Sequence, residues 1–267
     1  MIIGASSFAS SLPELQKEVE SIELYIPKLR LYRGNRLIKE RVDELREFIS
    51  TSSIHTSVHA PYYGDSPSYP EELNVDTAHM GRVQFRLIGE SISLASEIGC
   101  SVVVVHPGKI TGNRDESFTG MISNLRKLAS VAEDCGIVLG LENKEGTDPT
   151  NLCCTAEEHI HAIKDVNSSF LKATFDIGHA NLTCKGNALE LRDFVRMLSS
   201  HVVHVHVHDN NGMNGERYCG DLHAPPGEGN IDFSVLKELH FDGVYNLEVF
   251  SIEGVRWGKR MLSSMQR

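Results

Sequence analysis

The six cysteines of this 267-residue chain form no CxxC pair and no disulfide ladder, and the adjacent Cys153 and Cys154 read as free thiols. That spacing excludes a disulfide-stapled secreted scaffold and a thiolate zinc cage. There is no apolar stretch approaching the roughly 20 residues needed to span a bilayer. The first ten residues, MIIGASSFAS, contain no basic segment and no long apolar run, so no signal peptide is expected. A reducing, cytoplasmic setting without membrane partners is the expectation. Basic residues are also in short supply. The formal net charge is −10, which disfavours a polyanion partner unless a local patch or bound cations supply the attraction. Linkers, repeats and low-complexity tracts are missing as well, so residues 1–267 are expected to form one domain.

What is present is a rhythm. Eight short apolar runs read as strands: Ile2–Gly4, Ile22–Ile26, Thr56–Ala60, Val102–His106, Val138–Glu142, Ala173–Asp176, Val202–His208 and Asn246–Val249. Several are rich in Val and Ile with little polar interruption, as expected of parallel strands covered by helices. Helical patterns are expected over Pro13–Ser21, Leu37–Ser50, Thr77–Ile98, Glu116–Cys135, Thr155–Asp165, Ala188–Leu198, Phe233–Leu239 and Val255–Met265. Eight strands alternating with helices over about 250 residues predict an α/β fold of the (β/α)8 barrel type. The rival, a doubly wound open sheet, usually carries a glycine-rich phosphate turn after its first strand, and GASSFAS at residues 4–10 is not one.

Active sites of such barrels lie at the C-terminal ends of the strands. Strands three to eight here end in or beside His59, His106, Glu142, Asp176 with His179, His206 to Asp209, and Glu248. The loop after strand seven adds Asp221, His223 and Glu228. A lone strand-end histidine is usually a hydrogen-bonded structural residue, and a lone aspartate often caps the next helix. Here six consecutive strands converge on one rim. Crowded, buried carboxylates are costly without counter-charge, and the nearby cations are few: Lys109, Lys144 and Arg217. Divalent metal ions are the simplest counter-charge. Imidazole with carboxylate and no thiolate suits Zn²⁺, Mn²⁺, Fe²⁺ or Co²⁺. Within HVVHVHVHDN, period two places His204, His206 and His208 on the barrel interior and the valines toward the helices.

The ordered strand-end series HAPY, HPG, LEN, DIGHA, HxHDN, PPGEGNID and LE resembles the xylose isomerase-like barrel superfamily, which includes sugar isomerases and epimerases and endonuclease IV. The resemblance implies a mononuclear metal site at Glu142, Asp176, His206 and Glu248, with Glu142 and Glu248 exchanging a proton with a sugar carbon through an enediol or enediolate. It implies one to three zinc or manganese ions per chain and a small sugar or sugar-phosphate substrate. The endonuclease IV branch implies more. His59 and His106 would join Glu142 on a second metal, and His179, Asp221 and His223 would hold a third, which is the equipment of a nucleic-acid phosphodiesterase acting at abasic sites. DIGHANL and HDNNG look like the sugar-isomerase branch, and the isomerase or epimerase reading is the expectation carried forward. Tyr62, Lys109, Lys144, Asn181 and Arg217 are expected to contact substrate. Asn143, Asp209 and Glu228 are expected to orient ligands, and His204 to be a hydrogen-bonded interior residue. Pro225–Gly227 is expected to be a rigid turn. Trp257 is expected to pack under the C-terminal helix.

Overall fold

Strand-length apolar runs separated by amphipathic helices can hide their backbone polar groups only by pairing side by side, and a closed ring leaves no unpaired edge. The computed structural model, which describes residues 1–215 and 218–265, takes that solution. Its barrel strands are β1 (Ile2–Ser6), β2 (Ser21–Tyr25), β3 (His55–His59), β4 (Val102–Val105), β5 (Val138–Glu142), β6 (Leu171–Asp176), β7 (Val202–Val207) and β8 (Val244–Leu247). All are parallel, each pairs with its neighbours in sequence, and β8 closes on β1. Around them run α1 (Leu12–Leu15), α2 (Lys39–Thr51), α3 (Arg82–Glu97), α4 (Arg114–Cys135), α5 (Ala156–Val166), α6 (Ile177–Thr183), α7 (Ala188–Leu198) and α8 (Ile252–Met265). The fold is a (β/α)8 barrel.

Alternation along the strands separates two environments. Ile22, Leu24, Val58, Val103, Leu139, Leu141, Phe175, Val205, Val207 and Leu247 are buried in the apolar core. The alternate positions Ser6, Glu23, Ser57, His59, Glu142, Thr174, Asp176, His204, His206 and Asn246 are polar and equally buried. The barrel interior is therefore polar through its upper layers. Pairing of β6 with β7 shifts register between Ala173 and Thr174, so that Ala173 faces Val202 while Thr174 faces His204. Val203 is thus the extra residue of a bulge, which re-aims the strand. Beyond it, Thr174 pairs with His204 and Asp176 with His206.

The helices depart from expectation at three places. The first helix is only Leu12–Leu15, because Ser21 is already committed to β2 opposite Gly4 and His55. The long helix expected over Thr77–Ile98 is broken. Thr77–His79 is a single 3-10 turn whose entry residue, Asp76, accepts from Ala78 N at 3.1 Å and also from Lys109 N at 3.0 Å. That second bond ties the turn to the segment after β4, and α3 restarts only after Gly81. Third, α6 was not foreseen. Its seven residues are too few to show periodicity, and its cap is Asp176, whose Oδ1 accepts from His179 N at 2.7 Å. Phe233–Leu239 is a 3-10 helix. Among the described residues, no helix is long and apolar enough to cross a membrane.

Phe175 is fully buried on β6 and meets the Phe194 ring of α7 at 5.9 Å. Phe175→Ala should cost about 3–5 kcal/mol of stability. Urea unfolding of the variant checks this, and a loss below about 1 kcal/mol would mean that this strand–helix contact collapses around the gap or contributes little.

Candidate metal centre and cavity

The strand ends and the segments after β6 and β7 bring all nine histidines, aspartates and glutamates singled out as ligands to one rim. They fall into overlapping groups, each with one donor atom per residue within 4.8 Å of the others: His59, His106 and Glu142; Glu142, Asp176 and His206; and His179, His208, Asp221 and His223. Glu142 is shared by the first two. Glu248 joins the centre from β8, its Oε2 lying 3.5 Å from His206 Nδ1. The same nitrogen is 3.3 Å from Glu142 Oε2 and 3.8 Å from Asp176 Oδ2. His208, read from sequence as a rim neighbour, belongs to the upper group. Its Nε2 is 3.1 Å from Asp176 Oδ1 and 3.6 Å from Asp221 Oδ1.

Backbone carbonyls aim several of these imidazoles. A carbonyl only accepts, so a ring nitrogen facing one carries the proton, and the other nitrogen is the one that can face an ion. Nδ1 of His59 donates to Ala60 O at 3.0 Å, Nδ1 of His179 to Asn143 O at 2.9 Å, and Nδ1 of His223 to Glu248 O at 2.7 Å. All three therefore present Nε2 as the donor. His206 is turned the other way: its Nε2 faces Glu23 Oε2 at 3.0 Å and its Nδ1 faces the carboxylates. Asn143 ties the ends of β5 and β6 together, accepting from Asp176 N at 2.8 Å and donating to Asp176 O at 2.9 Å.

Charge crowds this rim. Burial pushes the Glu142 carboxyl up, but His106 and Lys144 beside it prevail and hold it well below the usual carboxylate range. Asp176 is likewise lowered, because His179 and His208 outweigh its burial. Burial pushes His106 down to about 3. Burial acts the same way on His223, but Asp221 overrides it and pushes the imidazole up to about 9. Three buried atoms at the centre, Glu142 Oε2, His106 Nε2 and His206 Nδ1, have no hydrogen-bond partner. Orphaned buried acceptors are expensive. Lone pairs from imidazole and carboxylate, aimed together and otherwise unsatisfied, are the donor set of a divalent cation. The residues fit such an ion.

Above the centre opens a cavity of about 340 Å³, walled by Phe8, Tyr25, Tyr62, Tyr69 and Phe250 and floored by the acidic rim. Of the expected substrate contacts, Tyr62, Lys109 and Lys144 line it. The Tyr62 hydroxyl is 2.8 Å from that of Tyr25, and its ring stacks on His106 at 4.2 Å. Lys144 Nζ lies 3.4 Å from Glu142 Oε1 and 3.2 Å from His179 Nε2. Lys109 Nζ is spent on Asp148 and Asn151, both at 2.6 Å. Asn181 is placed elsewhere. It is buried behind the cavity, and its amide donates to Asn210 Oδ1 at 2.8 Å and Asn230 Oδ1 at 2.9 Å. Arg217 lies outside the described residues. Glu228 is exposed on its loop.

Asp209 has a specific task. Its Oδ2 accepts from Gly227 N at 2.8 Å and Gly229 N at 2.9 Å, and its Oδ1 from Asn210 N at 2.9 Å. Its backbone pairs with Ala224. The carboxylate thus clamps the turn that follows Asp221 and His223. Trp257, half-exposed on α8 rather than packed beneath it, braces the same turn by donating to Pro226 O at 2.8 Å. Sequence reasoning passed over Glu23 altogether, and the available signal was a single acid in the otherwise apolar strand SIELY.

Comparison with known proteins agrees with this architecture. Residues 16–265 match the family model described as xylose isomerase-like TIM barrel, and the chain belongs to that family. It is similar to an uncharacterised protein of Methanocaldococcus jannaschii, 33% identical over 85% of this chain and 75% of the relative. It is also similar to a D-psicose 3-epimerase of Enterocloster bolteae, 26% identical over 81% of this chain and 68% of that enzyme. Among solved structures, a D-tagatose 3-epimerase-like protein superposes with a TM-score of 0.82 at 31% identity, covering 100% of this chain and 97% of that one.

Removing the Asp209 clamp should loosen the segment that carries Asp221 and His223. Asp209→Ala is expected to cost about 2–3 kcal/mol, since charge-assisted bonds to three backbone amides are lost, and to speed amide exchange across residues 221–231. Hydrogen-exchange mass spectrometry reads both sides of this expectation. Unchanged protection there would show that the turn is held by its prolines and Trp257 alone.

Proposed function

We propose that the protein is a divalent-metal-dependent epimerase or isomerase of a small sugar or sugar phosphate. One observation carries the reading: carboxylate oxygens of Glu142 and Glu248 lie within 3.5 Å of a single unsatisfied imidazole nitrogen, on the floor of a cavity of about 340 Å³. That volume suits one small ligand. The resemblance to a D-psicose 3-epimerase and to a D-tagatose 3-epimerase-like protein supports the same substrate class.

Glu142, Asp176, His206 and Glu248 would hold the ion, which when bound supplies Lewis acidity to a carbonyl and its neighbouring hydroxyl. The chain's own residues do the rest. One of the two glutamates removes the proton from the carbon beside the carbonyl, leaving an enediolate, and the other returns a proton to the opposite face. The carbon inverts; the glutamate that acts as acid starts protonated and ends ionised, the base ends protonated, and proton exchange with water resets the pair. Lys144, held cationic by Glu145 and Glu142 despite its burial, keeps Glu142 ionised and able to act as the base. The aromatic wall excludes water from the reactive intermediate and offers flat apolar faces to the C–H edges of a sugar.

A second reading, endonuclease IV-type hydrolysis at abasic sites, is favoured by the upper group His179, His208, Asp221 and His223 and by His59 and His106 around Glu142, which together could seat three ions. The two readings separate by stoichiometry and substrate. One exchangeable ion per chain with sugar turnover fits the first, and three tightly held zincs with cleavage of an abasic duplex fit the second.

Glu142→Gln and Glu248→Gln should each slow exchange of the substrate carbon-bound proton with deuterated water by about 100-fold or more. NMR of a ketose mixture incubated with each variant measures it, with metal content assayed alongside. Exchange at wild-type rate in both would refute the assigned roles. Exhaustive chelation should abolish sugar turnover, and a divalent ion such as Mn²⁺ or Co²⁺ should restore it; turnover that survives complete metal removal would rule out metal dependence.

A further inference from the structure

The carboxylate of Glu23 lies inside the barrel, beneath the rim and out of reach of the cavity. It is fully buried on β2, where alternation alone would be satisfied by any small residue. Its four hydrogen bonds account for its retention as a charge. Oε1 accepts from Ser6 Oγ at 2.8 Å and from Asn246 Nδ2 at 3.1 Å. Oε2 is shared by His204 Nε2 and His206 Nε2, both at 3.0 Å. The group cannot swing without breaking several of these bonds at once.

We propose that Glu23 is the positioning residue of the lower metal site. It fixes the proton of His206 on Nε2 and thereby presents Nδ1 as the donor to an ion held with Glu142, Asp176 and Glu248. The inference rests on the reading of that site as a divalent-metal centre.

Three observations point the same way. His206 is the one rim ligand whose outer nitrogen meets a carboxylate where His59, His179 and His223 meet backbone carbonyls. An anionic acceptor makes the opposite ring nitrogen a better donor than a carbonyl does, and such partners hold both tautomer and ring orientation. Next, the arrangement explains His204. Its ring stands edge-on beneath His206, with centroids 5.3 Å apart and planes at 86°, and its Nε2 hydrogen-bonds the same Glu23 oxygen. His204 buttresses the carboxylate and is not a ligand. Last, His206 Nδ1 is left without a hydrogen-bond partner among the described residues while facing Glu142, Asp176 and Glu248, an orientation that agrees with the Glu23 contact on its other nitrogen.

The test is metal binding. Co²⁺ and Zn²⁺ dissociation constants are measured on the purified full chain by competition with a chromophoric chelator, with circular dichroism to verify folding. Glu23→Gln should weaken binding by about 10- to 100-fold and shift the visible bands of bound Co²⁺. Glu23→Asp should recover part of the loss. A folded Glu23→Gln with wild-type affinity and an unchanged Co²⁺ spectrum overturns the proposal. Should that variant fail to fold, long-range ¹H–¹⁵N NMR of the zinc-loaded wild type decides: zinc on Nδ1 of His206 with the proton on Nε2 is expected, and zinc on Nε2 overturns it. A wild-type chain that binds neither ion overturns the metal reading and this proposal together, whereas tight binding unaffected by Glu23 overturns this proposal alone.

Discussion

Four carboxylates, Glu23, Glu142, Asp176 and Glu248, are buried within one end of a barrel, and the rest of the structure is arranged around accommodating them there. Isolated buried charge would be prohibitive. Histidines solve the problem because they serve as hydrogen-bond donors, as cations or as metal donors according to which nitrogen carries the proton. Four rim histidines are pinned by a second contact on the far side: His59 by Ala60 O, His179 by Asn143 O, His206 by Glu23 and His223 by Glu248 O. Lys144 is the only lysine or arginine among the described residues that touches Glu142. One ammonium against this many carboxylates leaves the balance to imidazolium or to bound cations.

The barrel makes such crowding affordable. Its apolar stability comes from the outward faces of the strands packing on helices, from Ile22 and Leu24 round to Val205, Val207 and Leu247. The interior is relieved of that task and can be polar. The bulge at Val203 belongs to the same logic, since it sets the phase of β7 so that His204, His206 and His208 all point inward. A slip of one residue would send all three into the helix layer.

Much of this was legible in the sequence because both signals are periodic. Short apolar runs, several of them rich in Val and Ile, mark all eight strands, and polar residues at their ends mark the rim, so residues as far apart as His59 and Glu248 could be assigned to one place. What escaped notice lacked a period or a partner in sequence. The α6 helix is seven residues long and starts from Asp176, a side chain that doubles as cap and rim acid. The break at Met80–Gly81 depends on Asp76 bonding to Lys109, thirty-three residues away. Asn181 sits beside a ligand-rich motif yet turns inward to Asn210 and Asn230, because helical geometry carries residues two apart to different faces. Glu23 makes its decisive contacts across the barrel with β7 and β8, a pairing that no local pattern encodes.

The site divides by what carries it. Glu142, Asp176 and His206 sit at or within the ends of hydrogen-bonded strands, with Glu248 directly beyond β8, and the inner layer of Glu23, His204 and Asn246 locks them from beneath. His179 comes from a seven-residue helix, and Asp221 and His223 from a segment held by the Asp209 clamp and the Trp257 brace. His223 also adopts a left-handed backbone, φ 47°, unusual for a side chain of its size. The lower group is therefore rigid by construction, and the upper group is positioned by a few replaceable contacts. The proton transfer proposed above would use two carboxylates fixed relative to one another, an arrangement a strand-borne group favours. The upper group stands over the same carboxylates and can change with its segment without disturbing them. That separation lets one barrel keep a constant floor while the residues above it, and hence the substrates or ions they admit, vary.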